Sequence, residues 1–123
     1  MNDERILVVE DDHYSSEVTR HLFNYHQLTV DIAGSAEEAL DLLGNRQYTL
    51  VVIDLALPGM DGWALLRTVK ATPPLAGIPC VAITAYHDTK LAYRAINEGF
   101  SAYFSKPLQT SFVAQLTKTV LKH

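Results

Sequence analysis

Leu50-Val51-Val52-Ile53-Asp54 runs four apolar residues, three of them β-branched, into a single carboxylate, and this stretch decides the architecture. A strand with one wet face alternates apolar and polar residues, whereas an unbroken apolar run suits a strand covered on both faces, as in a parallel sheet. Ile6-Leu7-Val8-Val9 repeats the pattern and also runs into acid, Glu10-Asp11-Asp12. The two runs are expected side by side at the centre of one sheet.

Outward from this pair, short β-prone runs fall at 6–9, 29–33, 48–53, 80–84 and 102–104, which gives five strands. Segments with helical spacing separate them: Val18, Leu22 and Tyr25; Ala36, Ala39, Leu40 and Leu43; Leu65, Leu66 and Val69; Leu91, Ala95 and Ile96. Phe112, Val113, Leu116 and Val120 form a fifth. The second helix should start at Ser35-x-x-Glu38, where hydroxyl and carboxylate reciprocally cap free N–H groups, and stop at Gly44. Gly99 should end the fourth helix, and Pro73-Pro74 the third. Strand and helix alternating five times predict a doubly wound α/β sandwich, with right-handed crossovers placing helices on both faces of a parallel sheet.

Size and charge narrow the function. A chain of 123 residues makes one ordinary domain, and 48% hydrophobic residues suffice for a packed core. Residues 1–123 are therefore expected to be a single domain with no output domain attached. The net charge is −4 and no predicted helix carries a Lys/Arg cluster, so direct nucleic-acid binding is not expected. Cys80 is the only cysteine and sits in an apolar run, which excludes an intrachain disulfide and fits a reducing compartment. The start Met1-Asn2-Asp3-Glu4-Arg5 is unlike a basic signal peptide, and no apolar run approaches the roughly 18 residues of a membrane span. A cytoplasmic protein with no membrane contact is the expectation.

In doubly wound sheets ligands bind beyond the carboxyl ends of the strands. There the first strand delivers Glu10-Asp11-Asp12, the third Asp54, the fourth Thr84, and the fifth Ser105-Lys106-Pro107. Carboxylates held close together repel unless a cation intervenes, and an all-oxygen set selects Mg²⁺, with Mn²⁺ as a substitute. Asp11 and Asp54 are the expected ligands. A carboxylate can also act as a nucleophile toward a phosphoryl group whose charge is neutralised, with Lys106 as the compact cation and Thr84 as a hydroxyl donor. Each residue has a plainer reading. Asp12 is assigned to capping the first helix, whereas for Asp54, Lys106 and Thr84 the joint spacing outweighs a surface acid, a solvated lysine and a strand terminus. His13, His21, His26, His87 and His123 lack metal-ligand spacing, and Trp63 reads as structural.

Glu10-Asp11-Asp12, the run from Asp54 through Leu57-Pro58-Gly59-Met60-Asp61-Gly62, Thr84-Ala85, and Tyr103 followed by Lys106-Pro107 together resemble the receiver domain of two-component response regulators. Asp11, Asp54, Thr84 and Lys106 are spaced 43, 30 and 22 residues apart, and the likeness spans the whole chain. The resemblance implies a flavodoxin-like sheet in the order 2-1-3-4-5 and phosphorylation of Asp54 by a histidine kinase or a histidine phosphotransfer protein. It implies Mg²⁺ held by Asp11, Asp54 and the Ala56 backbone carbonyl, with Glu10 acting through metal-bound water. Lys106 would meet the phosphoryl group through a cis peptide to Pro107, Thr84 would move to bond it, and Tyr103 would turn inward into room left by Ala85. The face of helix 4, strand 5 and helix 5 would then change for a downstream protein target or a homodimer. Ala56 and Tyr86 occupy the positions that govern access of hydrolytic water, and Glu10 replaces the commoner first Asp with a longer arm.

Three competitors are weaker. An Asp-nucleophile phosphatase of the haloacid-dehalogenase type needs an acid two residues after its nucleophile, where this chain has Ala56. A flavin-binding electron carrier needs a Ser/Thr- and Gly-rich phosphate loop after the first strand, where this chain reads Glu10-Asp11-Asp12-His13. A degenerate receiver acting only as an interaction module would have no reason to keep Asp11, Asp54, Thr84 and Lys106 together. The expectation is a phosphoacceptor switch, not an enzyme acting on other substrates.

Overall fold

The computed structural model describes residues 4–57, 60–86 and 88–121; Pro58, Gly59, His87 and His123 lie outside the described residues. The elements alternate strictly: β1 Arg5–Val9, α1 His13–Tyr25, β2 Thr29–Ala33, α2 Ala36–Asn45, β3 Leu50–Asp54, α3 Gly62–Ala71, β4 Cys80–Thr84, α4 Thr89–Glu98, β5 Ala102–Ser105 and α5 Phe112–Leu116. A π-helical turn, Thr117–Leu121, continues α5. The five strands are parallel in the order β2-β1-β3-β4-β5, as the resemblance implied. Every residue of β3 and β4 is buried, which is what their unbroken apolar runs require.

The period of two sorts the strand residues onto two cores. Leu7, Val9, Val51, Ile53, Cys80 and Ala82 pack with the inner faces of α2 and α3. Ile6, Val8, Leu50, Val52, Val81 and Ile83 pack on the other face with Phe23 of α1 and Phe112, Val113 and Leu116 of α5. Phe112 meets both Phe23 and Phe104 edge to face, with ring centroids 5.6 Å and 4.8 Å apart.

Several expected boundaries move. α2 does not stop at Gly44; it runs through Asn45 and ends at the extended Arg46, because nothing at Gly44 forces the left-handed conformation that would break it. The capping box of α2 forms, with Ser35 Oγ accepting from the Glu38 N–H at 3.1 Å. Its return bond reaches one residue further back than expected, the Gly34 N–H donating to Glu38 Oε1 at 2.7 Å. The third strand starts at Leu50, not at 48, and Tyr48 instead turns its hydroxyl to Asp31 Oδ2 at 2.7 Å.

α1 buries Ser16, Thr19 and Phe23, while the expected Val18 and Leu22 are only partly covered and Tyr25 is 86% exposed. Both buried hydroxyls donate to carbonyls of their own helix, Ser16 to His13 and Thr19 to Ser15, each at 2.9 Å, so they pack as small side chains. In α4 only Ala95 is buried, and Ile96 is half exposed. Gly99 ends α4 as expected, at φ 120°, and Thr72, next to Pro73, caps α3.

Candidate functional site

The parity of the strands decides which side chains meet at their carboxyl ends. Ile6 and Val8 face α1 and α5, so residue 10 continues that row; Leu50 and Val52 do the same for Asp54, and Ala102 and Phe104 for residue 106. Glu10, Asp54 and Lys106 therefore arrive on one face. Thr84 continues the row of Cys80 and Ala82 and Tyr103 packs against the core on that side, so these two belong to the opposite face. Thr84 is paired with Ser105 and Ala82 with Tyr103, which makes Thr84 and Tyr103 diagonal neighbours on adjacent strands.

The three groups of the first face are bonded to one another. Lys106 Nζ donates to Asp54 Oδ2 at 3.1 Å and forms a close ion pair with Glu10 Oε1. Glu10 and Asp54 are buried and the Lys106 side chain is 17% exposed, so this is an interior charge cluster. Asp54 Oδ1 accepts the Ala56 N–H at 3.0 Å, which fixes the carboxylate at the end of β3. Glu10 Oε2 accepts the Asp12 N–H at 3.3 Å. Asp12 is the N-cap of α1, accepting from the Ser15 N–H at 2.8 Å, and the bonds from Ser15 hold its carboxyl below the usual range.

Burial pushes the Glu10 carboxyl up to about 7; its hydrogen bond and repulsion with Asp54 add to this, and Lys106 opposes it. For Lys106, burial acts to lower the pKa, but the hydrogen bond to Glu10 and the charges of Asp54 and Glu10 prevail and raise it. Carboxylate oxygens of Glu10, Asp11 and Asp54 all lie within 4.8 Å of one another, with Asp11 at the exposed edge. A hard all-oxygen set of this kind fits Mg²⁺ or Mn²⁺.

The cluster forms the floor of a cavity of about 500 Å³ whose lining includes Asp11, Asp54, Ala56, Ala85, Tyr86 and Lys106. Thr84 and Tyr103 are not in that lining. The Thr84 hydroxyl oxygen accepts the Tyr86 N–H at 3.1 Å behind the rim, and Tyr103 lines a separate cavity of about 290 Å³ with Phe104, Pro107 and Phe112. The Lys106–Pro107 peptide is cis.

Tyr14, Val18 and Leu108 also line the cavity over the carboxylates, a placement that the sequence motifs do not indicate. The i, i+4 spacing of Tyr14 and Val18 on a helix starting at Asp12 is the signal that would have found two of them. Trp63 is structural, buried against Phe100 and capped by the Arg94 guanidinium 4.1 Å from its ring centre. His13, His21 and His26 are exposed. Cys80 is a buried free thiol pushed up to about 11 by burial. Among the described residues, no helix is long and apolar enough to cross a membrane.

Comparison with known proteins agrees with this geometry. The chain is 36% identical over 84% of its length to an uncharacterized 14.6 kDa protein of Leptolyngbya boryana, covering 79% of it. It is 32% identical over 96% of its length to the transcriptional regulatory protein ZraR of Escherichia coli O157:H7, but spans only 26% of that protein. Among solved structures, the signal receiver domain of an HD domain-containing protein from Pseudomonas fluorescens Pf-5 superposes with a TM-score of 0.86, at 30% identity, covering 99% of this chain and 97% of that one. Residues 6–118 match the family described as the response regulator receiver domain, and the chain belongs to that family.

Proposed function

We propose that this chain is the phosphoacceptor of a two-component phosphorelay, taking a phosphoryl group onto Asp54 from a phosphohistidine of a kinase or phosphotransfer protein. The observation that carries the reading is the contact of Lys106 Nζ with Asp54 Oδ2 at 3.1 Å, inside a cluster that also holds Glu10 and Asp11. An Asp54 carboxylate oxygen attacks phosphorus. The P–O bond forms as the P–N bond to the donor imidazole breaks, and the ring nitrogen keeps the electron pair and takes a proton.

Asp11, Asp54 and the Ala56 carbonyl would hold Mg²⁺ or Mn²⁺, with Glu10 acting through water, and such an ion would supply charge that neutralises the phosphoryl oxygens. Lys106 supplies the fixed positive charge on the protein side. The Thr84 hydroxyl oxygen already accepts the Tyr86 N–H, so its own hydrogen is the part left to give to a phosphoryl oxygen. Movement of Thr84 toward the site vacates space on the face it shares with Tyr103, with Ala85 leaving room for the ring, and this couples Asp54 to β5. Ala56 and Tyr86 border the cavity and govern how water reaches the acyl phosphate.

The output surface is then α4, β5 and α5, where Tyr93 is 70% and Ile96 50% exposed, ready for a downstream protein or a second copy. The chain would work in the cytoplasm as a switch and not as an enzyme on other substrates. Incubation with acetyl phosphate and Mg²⁺ tests the reading by intact-mass measurement. One added phosphoryl group is expected, absent with EDTA and absent in Asp54→Asn. A folded wild-type chain that takes up none would overturn it.

A further inference from the structure

We infer that α4 is a latched element, held against α3 by Arg94 stacked on Trp63 and by Glu98 beside Arg67, and that it comes away as a unit when this latch opens. The meaning of the latch for signalling rests on the phosphoacceptor reading; the latch itself does not.

α4 has little else to hold it. Of its ten residues only Ala95 is buried, Leu91 packs partly covered against the core, and Tyr93 and Ile96 are exposed. α3, also ten residues long, buries Gly62, Trp63, Leu65, Leu66 and Val69. A short helix is marginal in water and draws its stability from an apolar face packed on the protein, so α4 belongs to the weakly held part of the molecule.

The latch sits at the end of α4. Arg94 lays its guanidinium over the indole of Trp63, 4.1 Å from the ring centre, and its Nε donates to Glu98 Oε2 at 2.7 Å one turn on. The other Glu98 oxygen faces Arg67 Nη1 of α3 at 3.6 Å. Phe100, directly after the Gly99 that ends α4, meets the same indole edge to face with ring centroids 5.7 Å apart. One indole is thus gripped by residues on both sides of the α4 C-cap. Both arginines are more than half exposed, so the ion pairs hold weakly in water, and the planar stack on a buried indole carries most of the attachment.

The anchor of the latch lies close to the phosphoacceptor. Trp63 follows Gly62, whose backbone is packed so tightly on β3 that an added Cβ would lie 2.6 Å from the Asp54 carbonyl oxygen. The closed latch therefore ties the exposed α4 face, with Tyr93 and Ile96, to the segment that rests on the end of β3. The population of the open form sets how readily that face changes.

The test is amide hydrogen exchange, read by mass spectrometry on peptides spanning residues 89–98 of the unphosphorylated chain. Arg94→Ala should raise exchange there roughly fivefold, the loss of one partly desolvated cation–π contact, with exchange in β1 and β3 unchanged. Alanine is the better helix former, so the intrinsic propensity of α4 acts in the opposite direction. Arg94→Lys keeps the charge and its reach to Glu98 but loses the planar stack, and should fall between wild type and Arg94→Ala. Exchange in α4 unchanged in Arg94→Ala, Arg94→Lys equal to wild type, or an equal rise in β1 and β3 overturns the latch. Acetyl phosphate and Mg²⁺ are then added to the same wild-type sample. A chain that takes up no phosphoryl group fails the phosphoacceptor reading alone and leaves the exchange comparison standing.

Discussion

At the scale of single residues, Gly62 sets the position of Asp54. It opens α3 directly after the Asp61 N-cap, and a Cβ built there would lie 2.6 Å from the Asp54 carbonyl oxygen and 2.9 Å from Leu55 Cα. Both are backbone atoms and neither can rotate away. Gly62→Ala should therefore cost about 1–3 kcal/mol of stability, measured as a lower urea midpoint at constant slope. It should also slow uptake of phosphoryl from acetyl phosphate, because β3 must shift at the nucleophile. A variant as stable as wild type would show that α3 does not press on β3. Gly62 belonged to the quoted family run, but the close approach that requires it is a tertiary contact with no trace in local spacing. Thr84 and Tyr103 teach the complementary lesson. Their residue numbers already fix, by the period of two, that they occupy the face of the sheet opposite Asp54 while their strand ends share its rim.

At the scale of elements, the strands were legible and the helix faces less so. Five short apolar runs gave five strands with ends displaced by no more than two residues, because burial on both sides leaves an unbroken apolar signature. The inner face of α1 departs from its apolar spacing for a chemical reason: the hydroxyls of Ser16 and Thr19 bond to carbonyls of their own helix and enter the core. Tyr48 heads the apolar run of 48–53 but lies outside the strand, which starts at Leu50. It acts instead as a clasp outside β3, donating to Asp31 on the edge strand β2, which Arg5 of β1 also grips at 3.0 Å. Tyr48→Phe keeps the ring and leaves Asp31 paired with Arg5, so a loss of about 0.5–1.5 kcal/mol is expected by chemical denaturation. No loss would mean that the hydroxyl does not secure the β2 edge.

At the scale of the whole molecule, stability and signalling draw on the same buried charges. The Glu10 carboxyl stands at about 7 in the folded chain against 4.5 ordinarily, so between those pH values the folded protein holds a proton that the unfolded chain has released. The stability this contributes is fully present below about 4.5 and is lost as pH rises through about 7. In Mg²⁺-free buffer, urea midpoints should fall across that window in wild type and fall less in Glu10→Gln. Equal slopes in the two proteins would contradict the assignment. A cluster that weakens the fold near neutral pH is one that a bound cation can stabilise, which ties metal binding to the phosphoacceptor role of Asp54. That role is tested most directly by placing the phosphoryl group on the chain. After treatment with acetyl phosphate and Mg²⁺, borohydride reduction converts an aspartyl phosphate to homoserine, which peptide mass spectrometry locates. Homoserine at position 54 and nowhere else is the predicted result, and a labelled chain with Asp54 intact would contradict the account.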